Sequence, residues 1–313
     1  ISWHAYSTDP YVEKESTTYN KMVSELIRDW FTFFRFDKNT PLIIDEWNYD
    51  SGGNFIEERG NKSYICASYL PARLKSMYQA GIDYQSYFCL EEFQNDRGEI
   101  NNNRGIFSYD PKSVNYKGWS KSMYNVFLMV SQLGDNLYSG LDIKDEFLNL
   151  LLTKRQDDII ILVWNYIDPY IERSFLSRNI ALLGEKDRSS LLSIIREDKL
   201  NKLINQELSI DSLSVSDKLK GLLKKTLELK SRVLELLNKP INIRITFSNI
   251  KGDYLYQRYI VDSSCAMECS ISAAEEKGLT NIDVTHEETL TLKPYSVHLI
   301  CLLYTSPSPR DRQ

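Results

Sequence analysis

The sequence is poor in the residues that most often bind metal ions or build disulfide frameworks. It has three histidines and five cysteines, and the cysteines are Cys66, Cys89, Cys265, Cys269 and Cys301. They do not show the CxxC or the combined Cys and His spacing of zinc sites. We therefore expect no metal ion and no organic cofactor, and we expect the thiols to be unpaired. Cys265 and Cys269 could form a disulfide bond only if a turn brought them together.

Long apolar runs and blocks of basic residues are also missing. A membrane-spanning helix needs about 20 apolar residues in succession, and no run in this sequence comes close to that length. The 38 basic and 43 acidic residues are mixed along the chain and leave a net charge of -5. Proteins that follow nucleic-acid phosphates carry basic patches instead. We expect neither a nucleic acid nor a membrane surface as the partner of this chain.

Aromatic residues, by contrast, are plentiful. They make up 12% of the 313 residues, and 20 of them are tyrosines. Exposed rings at strand ends suit flat ligands such as sugars, although most aromatic side chains fill hydrophobic cores. The balance of 42% hydrophobic and 26% charged residues is that of a globular protein with one large core or two of medium size.

The first 137 residues alternate short apolar strands with helices. Strands are predicted at ISWHAYS, PLIIDE and DYQSYFCL, and helices over residues 16–34, 63–80 and 117–134. Pro71 lies inside the second helix, where it should kink or split it. Strands that alternate with helices of this length form parallel βαβ units with right-handed crossovers. The pattern predicts an α/β barrel or an open α/β sheet.

From residue 138 the pattern changes. Residues 138–170 and 239–300 read as alternating strands with turns between them, which predicts a β-sandwich. Between them, residues 171–238 keep leucines at helical spacing until Pro240 stops the pattern. This is an amphipathic helical insertion that acts either as a packed cap or as an arm that binds a partner. Residues 301–313 resemble the translated read-through of a sequencing adapter, so we expect a non-native tail.

The segment PLIIDEWNYD, residues 41–50, places polar residues directly after an apolar strand. In parallel α/β folds the carboxyl ends of the strands form the functional side. Asp45 and Glu46 occupy that position. Because side chains alternate along a strand, only one of the two carboxylates should face a pocket. That carboxylate could be a general base or nucleophile, a ligand-binding acceptor, or a structural ion-pair partner.

Five short motifs follow one another along the chain. They are ISWHAYSTDP, LIIDEWN, GIDYQSYFCLEEF, GIFSYDPKSVNYKGWSKSMYNVFLMVSQLGD and LKPYSVHLI. Their order and spacing resemble glycoside hydrolase family 39, which includes β-xylosidases and α-L-iduronidase. The resemblance covers roughly residues 1–170 and 240–300, without the helical insertion. It implies a (β/α)8 TIM barrel that this chain enters at strand 6, followed by a β-sandwich.

The resemblance implies a catalytic role for Glu46, because LIIDEWN matches strand 7, where the family carries its nucleophile. Retaining glycosidases use two carboxyl groups roughly 5 Å apart, one that attacks the anomeric carbon and one that protonates the leaving oxygen. The second carboxyl is expected on strand 4, upstream of Ile1. The chain would then be a fragment of a retaining, β-xylosidase-like hydrolase that is inactive alone, with residues 1–137 as the C-terminal part of the barrel.

The resemblance also indicates residues that would bind a carbohydrate substrate. His4 and Tyr6 match the strand 6 histidine and tyrosine of the sugar pocket, and both could donate hydrogen bonds to an ionised Glu46. At strand 8 the match is poorer, since the family prefers a tryptophan near Tyr87 and an acidic residue where this chain has Gln94. The candidate substrate-binding residues are His4, Tyr6, Trp47, Asn48, Tyr87, Glu91 and Glu92.

Structural roles and other functions remain open at this point. His4 could be a core histidine, and Tyr6, Trp47 and Tyr49 could be packing aromatics. The protein could also be a catalytically inactive barrel homologue that only binds glycans, or a scaffold that assembles through the helical insertion.

Overall fold

A computed structural model of the chain describes most of its residues. The described residues are 1–6, 19–49, 64–94, 96–97, 100–101, 105–109, 114–115, 118–138, 147–265 and 269–305. The chain forms two compact units, one of Ile1–Tyr166 with Pro240–Gln313 and the other of Ile167–Lys239. Among the helices in the described ranges, none is long and apolar enough to cross a membrane.

The N-terminal part contains a small parallel sheet. Its strands are β1 (Ser2–His4), β2 (Ile43–Trp47) and β3 (Tyr84–Tyr87), which pair in the order β1-β2-β3. Helix α1 (Tyr19–Phe34) lies between β1 and β2 in the chain, and α2 (Tyr64–Gln79) lies between β2 and β3. These are two successive βαβ units. The mixed α/β class expected from the sequence is therefore confirmed, whereas the assignment of these strands to a barrel stays a prediction.

The two helices differ in how they are buried. Ile27 and Phe31, one turn apart on α1, pack with Leu42 in a small hydrophobic cluster. Helix α2 is buried along most of its length and contains Pro71 without being split there. It ends shortly before Gly81, whose φ of +69° is a left-handed conformation that glycine adopts most easily.

Short antiparallel pairs follow β3. Strand β4 (Phe93–Gln94) pairs with β5 (Ile100–Asn101), β6 (Phe107–Tyr109) pairs with β7 (Gly118–Ser120), and α3 (Ser122–Ser131) comes next. The sequence predicted one helix from residue 117, but the first residues of that segment form β7. Pairing with β6 satisfies their backbone groups, and the Lys121 N–H donates to the Ile106 oxygen at 3.0 Å, so the helix begins at Ser122.

The remaining strands of this unit form two antiparallel sheets. The strands are β8 (Asn136–Tyr138), β9 (Leu148–Arg155), β10 (Asp158–Asn165), β11 (Ile241–Ser248), β12 (Gly252–Val261), β13 (Ala273–Ile282), β14 (Thr285–Leu292) and β15 (Val297–Tyr304). Six of them pair in the order β13-β12-β15-β10-β9-β8, and β11 pairs with β14. One hydrophobic cluster joins both sheets, and it includes the fully buried Val163, Tyr256, Leu292 and Ile300. Strand β15 continues through Tyr304, into the predicted non-native tail, whose origin stays a prediction.

Cys265 and Cys269 form a disulfide bond, so the expectation of unpaired thiols is wrong for this pair. Their Cα atoms lie 5.2 Å apart. The Ser122 hydroxyl donates to the Cys265 carbonyl oxygen, and Asn125 Nδ2 donates to the Cys269 carbonyl oxygen at 2.7 Å. These contacts from α3 hold both cysteine backbones close together. The other three cysteines are buried and form no disulfide bond.

The second unit, Ile167–Lys239, is helical. Its elements are α4 (Ile171–Ile180), α5 (Glu185–Arg196), α6 (Lys199–Ile204), a 3₁₀ turn (Ile210–Ser212) and α7 (Asp217–Asn238). The Ser216 hydroxyl caps α7 by accepting a hydrogen bond from the Leu219 N–H at 3.1 Å. Leu191, Leu219 and Leu223 are fully buried in a core of their own. Whether this unit is a cap or a partner-binding arm stays a prediction.

Candidate functional site

Chemically active side chains gather at one edge of the parallel sheet. Glu46 lies near the end of β2, Tyr87 is the last residue of β3, and Tyr6 follows β1. Because the three strands are parallel, their carboxyl ends meet at this edge, which is where α/β proteins bind ligands. Within β2 the apolar Ile44 and Trp47 are buried, and the acidic Asp45 and Glu46 between them are at least partly exposed.

Each carboxylate oxygen of Glu46 lies near a polar side chain. The Tyr6 hydroxyl donates a hydrogen bond to Oε1, and His4 Nε2 lies 3.6 Å from Oε2. His4 stands opposite Glu46 in the β1–β2 pairing, and the Ala5 N–H extends that pairing by donating to the Glu46 carbonyl oxygen at 2.9 Å. About a quarter of the Glu46 side chain is exposed, at 28%. Both oxygens of this carboxylate therefore have a neighbouring polar group, and the carboxylate still reaches the surface.

Asp45 lies near the same imidazole. Its Oδ1 is 3.9 Å from His4 Nε2, and 42% of its side chain is exposed. Side-chain alternation predicted that only one of the two carboxylates would face a pocket, and this stays a prediction. The β1–β2 register shifts between Trp3 and His4, and at such an irregularity the alternation is relaxed. Both acidic residues therefore lie close to one histidine.

Three candidate residues lie behind this edge and join β2 to β3. Trp47 is fully buried, its Nε1 donates to Gln85 Oε1, and its ring packs edge-on against Tyr87 with 5.1 Å between ring centres. Asn48 is buried and donates through Nδ2 to the Phe88 carbonyl oxygen at 2.6 Å. The Tyr87 hydroxyl lies 3.2 Å from Asn48 Oδ1, and burial raises the pKa of Tyr87 well above its usual value. These contacts support the edge from within.

The two glutamates after β3 have different environments. Glu91 is exposed, and its backbone forms a bridge with Phe107. The Glu92 side chain is fully buried, with Oε1 accepting from Lys121 Nζ and Oε2 accepting from the Gly105 N–H at 3.0 Å. The Glu91 side chain therefore reaches solvent, while the Glu92 side chain is enclosed and bonded through both oxygens.

Lys121 is a residue that sequence reasoning did not single out. It is fully buried, and burial lowers the pKa of its ammonium group to about 8. In the sequence it lies within a predicted helix, and no pattern links it to Glu92. The only hint in the sequence that Lys121 is buried is the largely apolar segment that begins two residues after it. Among the described residues, no group of three or more His, Cys, Asp or Glu side chains could hold a metal ion.

The arrangement at the end of β2 suits nucleophilic chemistry. An ionised and partly exposed carboxylate that is oriented by a tyrosine and a histidine can attack an electrophilic carbon. Such a group can also accept hydrogen bonds from the hydroxyls of a sugar.

Comparison of the sequence with models of protein families and with curated protein sequences found no match. The structure, by contrast, resembles several solved glycoside hydrolases. One is the GH39 enzyme from Xanthomonas axonopodis pv. citri, with a TM-score of 0.54, 12% identity, and coverage of 97% of this chain and 55% of that chain. Another is a glucosidase from Croceicoccus marinus, with a TM-score of 0.60, 15% identity, and coverage of 97% and 53%.

A monomeric β-xylosidase from Caulobacter crescentus CB15 is also similar, with a TM-score of 0.52, 12% identity, and coverage of 90% of this chain and 49% of that chain. The chain thus spans about half the length of these three enzymes. At such identities the likeness shows a shared fold. The fold of this chain is found in glycoside hydrolases, family 39 enzymes among them.

Proposed function

We propose that this chain belongs to a retaining glycoside hydrolase, β-xylosidase-like, in which Glu46 is the catalytic nucleophile. The observation that carries the proposal is the partly exposed Glu46 carboxylate at the carboxyl end of a parallel sheet, with Tyr6 and His4 at its two oxygens. The fold shared with glycoside hydrolases supports the reaction class.

In the proposed reaction, a Glu46 oxygen forms a bond to the anomeric carbon while the bond from that carbon to the leaving oxygen breaks. A second carboxyl group protonates the leaving oxygen and afterwards takes a proton from the water that hydrolyses the glycosyl ester. We assign that second group to none of the candidate residues, so the test uses a leaving group that needs no proton.

On the substrate side, His4, Tyr6 and Glu91 are the candidates that could contact the carbohydrate. Trp47, Asn48 and Tyr87 would have a structural role, because their described contacts join β2 to β3 and to the residue after it. We leave Glu92 out of the sugar-binding set, since its side chain is enclosed in an ion pair.

The test is covalent labelling with 2,4-dinitrophenyl 2-deoxy-2-fluoro-β-xyloside. Dinitrophenolate leaves without protonation, and the fluorine slows hydrolysis of the ester, so the sugar should remain on the nucleophile. Peptide mass spectrometry should find the adduct on Glu46, and Glu46→Gln should abolish it. Tyr6→Phe should slow labelling roughly tenfold to a hundredfold, because it removes a hydrogen bond to a charged group.

Tyr78→Phe is the matched control, since Tyr78 is an exposed tyrosine on α2. It should label at the rate of the unmodified chain. An adduct on another residue, or labelling that survives Glu46→Gln, would refute the assignment of the nucleophile. Binding of xylosides without any adduct would favour the glycan-binding alternative.

A further inference from the structure

Glu92 and Lys121 form an ion pair whose two side chains are fully excluded from solvent. Every other acceptor of Glu92 is also engaged. Its Oε2 accepts from the Gly105 N–H at 3.0 Å, and its carbonyl oxygen accepts from the Tyr109 hydroxyl at 3.2 Å. A buried charge is tolerated only when it is paired and hydrogen-bonded, so this cluster holds each member in one position.

The chain at Gly105 lies directly against the chain at Glu91 and Glu92. A Cβ atom on residue 105 would lie 2.6 Å from the carbonyl carbon of Glu91 and 2.6 Å from the nitrogen of Glu92. Those are backbone atoms that cannot move aside without shifting the segment. Only glycine permits the approach that lets its N–H reach the Glu92 carboxylate.

Backbone hydrogen bonds tie the same segments together. The Ile106 N–H donates to the Cys89 oxygen at 3.1 Å, and the Phe107 N–H donates to the Leu90 oxygen at 2.9 Å. The Lys121 N–H donates to the Ile106 oxygen at 3.0 Å. The residues after β3 are therefore bound to the β6 segment, and that segment is bound to the start of α3.

Glu91 is the exposed member of this block. It comes directly before Glu92 in the chain. The Glu92 side chain is buried, whereas the Glu91 side chain reaches solvent. Glu91 comes four residues after the end of β3, the strand that pairs with the strand of Glu46. We propose that the Glu92–Lys121 ion pair, with Gly105, is a clamp that holds Glu91 in place as a carbohydrate-binding carboxylate. Glu92 and Lys121 are then positioning residues, and this inference rests on the proposed function.

The clamp is tested by isothermal titration with methyl 1-thio-β-xyloside and with the matching glucoside, which bind without being hydrolysed. Glu91→Gln should raise the dissociation constant about tenfold, because a charge-assisted hydrogen bond to a sugar hydroxyl is weakened. The double variant Glu92→Gln with Lys121→Met should give a similar rise. It removes both charges together, so no unpaired buried charge is left to unfold the chain.

The control is the same double change in the helical unit, Glu172→Gln with Lys230→Met. That ion pair is partly buried, with 3.2 Å between Nζ and Oε1. It should leave the dissociation constant unchanged. Circular dichroism of each variant shows that the chain has folded before binding is measured.

Three results would overturn the clamp. The first is a dissociation constant that changes less than about twofold in the folded Glu92 and Lys121 double variant, which would make the ion pair structural only. The second is absence of binding by the unmodified chain, and the third is tight binding that survives Glu91→Gln. If the glycosides bind as expected but Glu46 is never labelled, the proposed hydrolysis fails and the clamp stands.

Discussion

At the scale of the residue, the surroundings of a carboxylate decide what it can do. Glu46 lies near the end of β2 and Glu92 comes after β3, but Glu46 meets a tyrosine hydroxyl and a histidine and keeps part of its surface in solvent. Glu92 meets a buried ammonium group and a backbone N–H, with no exposed side-chain surface. The first arrangement leaves a carboxylate that a ligand can approach from solvent, and the second encloses the carboxylate and uses both of its oxygens to hold the protein together.

His298 provides a residue-scale prediction about pH. It is 3% exposed, and burial lowers its pKa from 6.5 to about 4, with the positive charges of Arg258 and Lys293 acting in the same direction. Between those pH values the unfolded chain binds a proton that the folded chain does not, so stability falls as the pH drops from 6.5 toward 4. We expect a loss of about 3 kcal/mol from this group.

The measurement is urea unfolding of the chain and of His298→Gln at pH 7 and at pH 4.5. Glutamine stays neutral, so the variant should lose less stability over this interval than the unmodified chain does. Equal losses would show that His298 is protonated in the folded state as easily as in the unfolded state.

At the scale of the element, hydrogen bonds join α3 to the segment between β12 and β13, which is far from it in the sequence. The disulfide between Cys265 and Cys269 lies between β12 and β13, and α3 contacts both cysteine carbonyl oxygens through Ser122 and Asn125. The bond closes a loop of only a few residues. Closing a short loop removes little conformational entropy from the unfolded chain. The bond therefore stabilises the folded state less than a disulfide that closes a long loop would.

Replacing both cysteines, Cys265→Ser with Cys269→Ser, should lower the free energy of unfolding by about 2 kcal/mol. Urea unfolding under oxidising conditions measures the difference. The unmodified chain in the presence of a thiol reductant should match the double variant. If the reductant changes nothing, the bond does not form in solution.

At the scale of the whole molecule, the chain has two compact units with separate hydrophobic cores. One core lies between the β-sheets, and the other lies among the helices of Ile167–Lys239. Because each core is formed by residues of its own unit, a cavity in one should loosen that unit first.

Leu223→Ala removes a fully buried side chain from the helical core and should destabilise that unit by roughly 2–5 kcal/mol. Hydrogen exchange followed by mass spectrometry should show faster exchange within residues 167–239 and unchanged exchange in β9, β10 and β15. Leu234→Ala is the control, because Leu234 lies on the same helix with its side chain exposed. Faster exchange in the β-strands would show that the two units unfold together.

The sequence by itself determined the features that depend on residues close together in the chain. Apolar strands alternating with helices predicted the parallel βαβ units, and leucines at helical spacing predicted the helical segment after residue 170. The segment PLIIDEWNYD placed Glu46 at the end of an apolar strand, where the structure has β2. These patterns work because backbone geometry repeats every few residues and because apolar side chains must face a core.

Only the tertiary structure decided which distant residues meet. Ser122 and Asn125 of α3 meet the backbones of Cys265 and Cys269 from far away in the sequence. Likewise β7 forms because β6 lies beside it, and Asp45 comes near His4 where the β1–β2 register shifts. Lys121 reaches Glu92 across a long separation in sequence. No local periodicity carries such information, because the free energy of these contacts depends on the packing of elements that the chain brings together only when it folds.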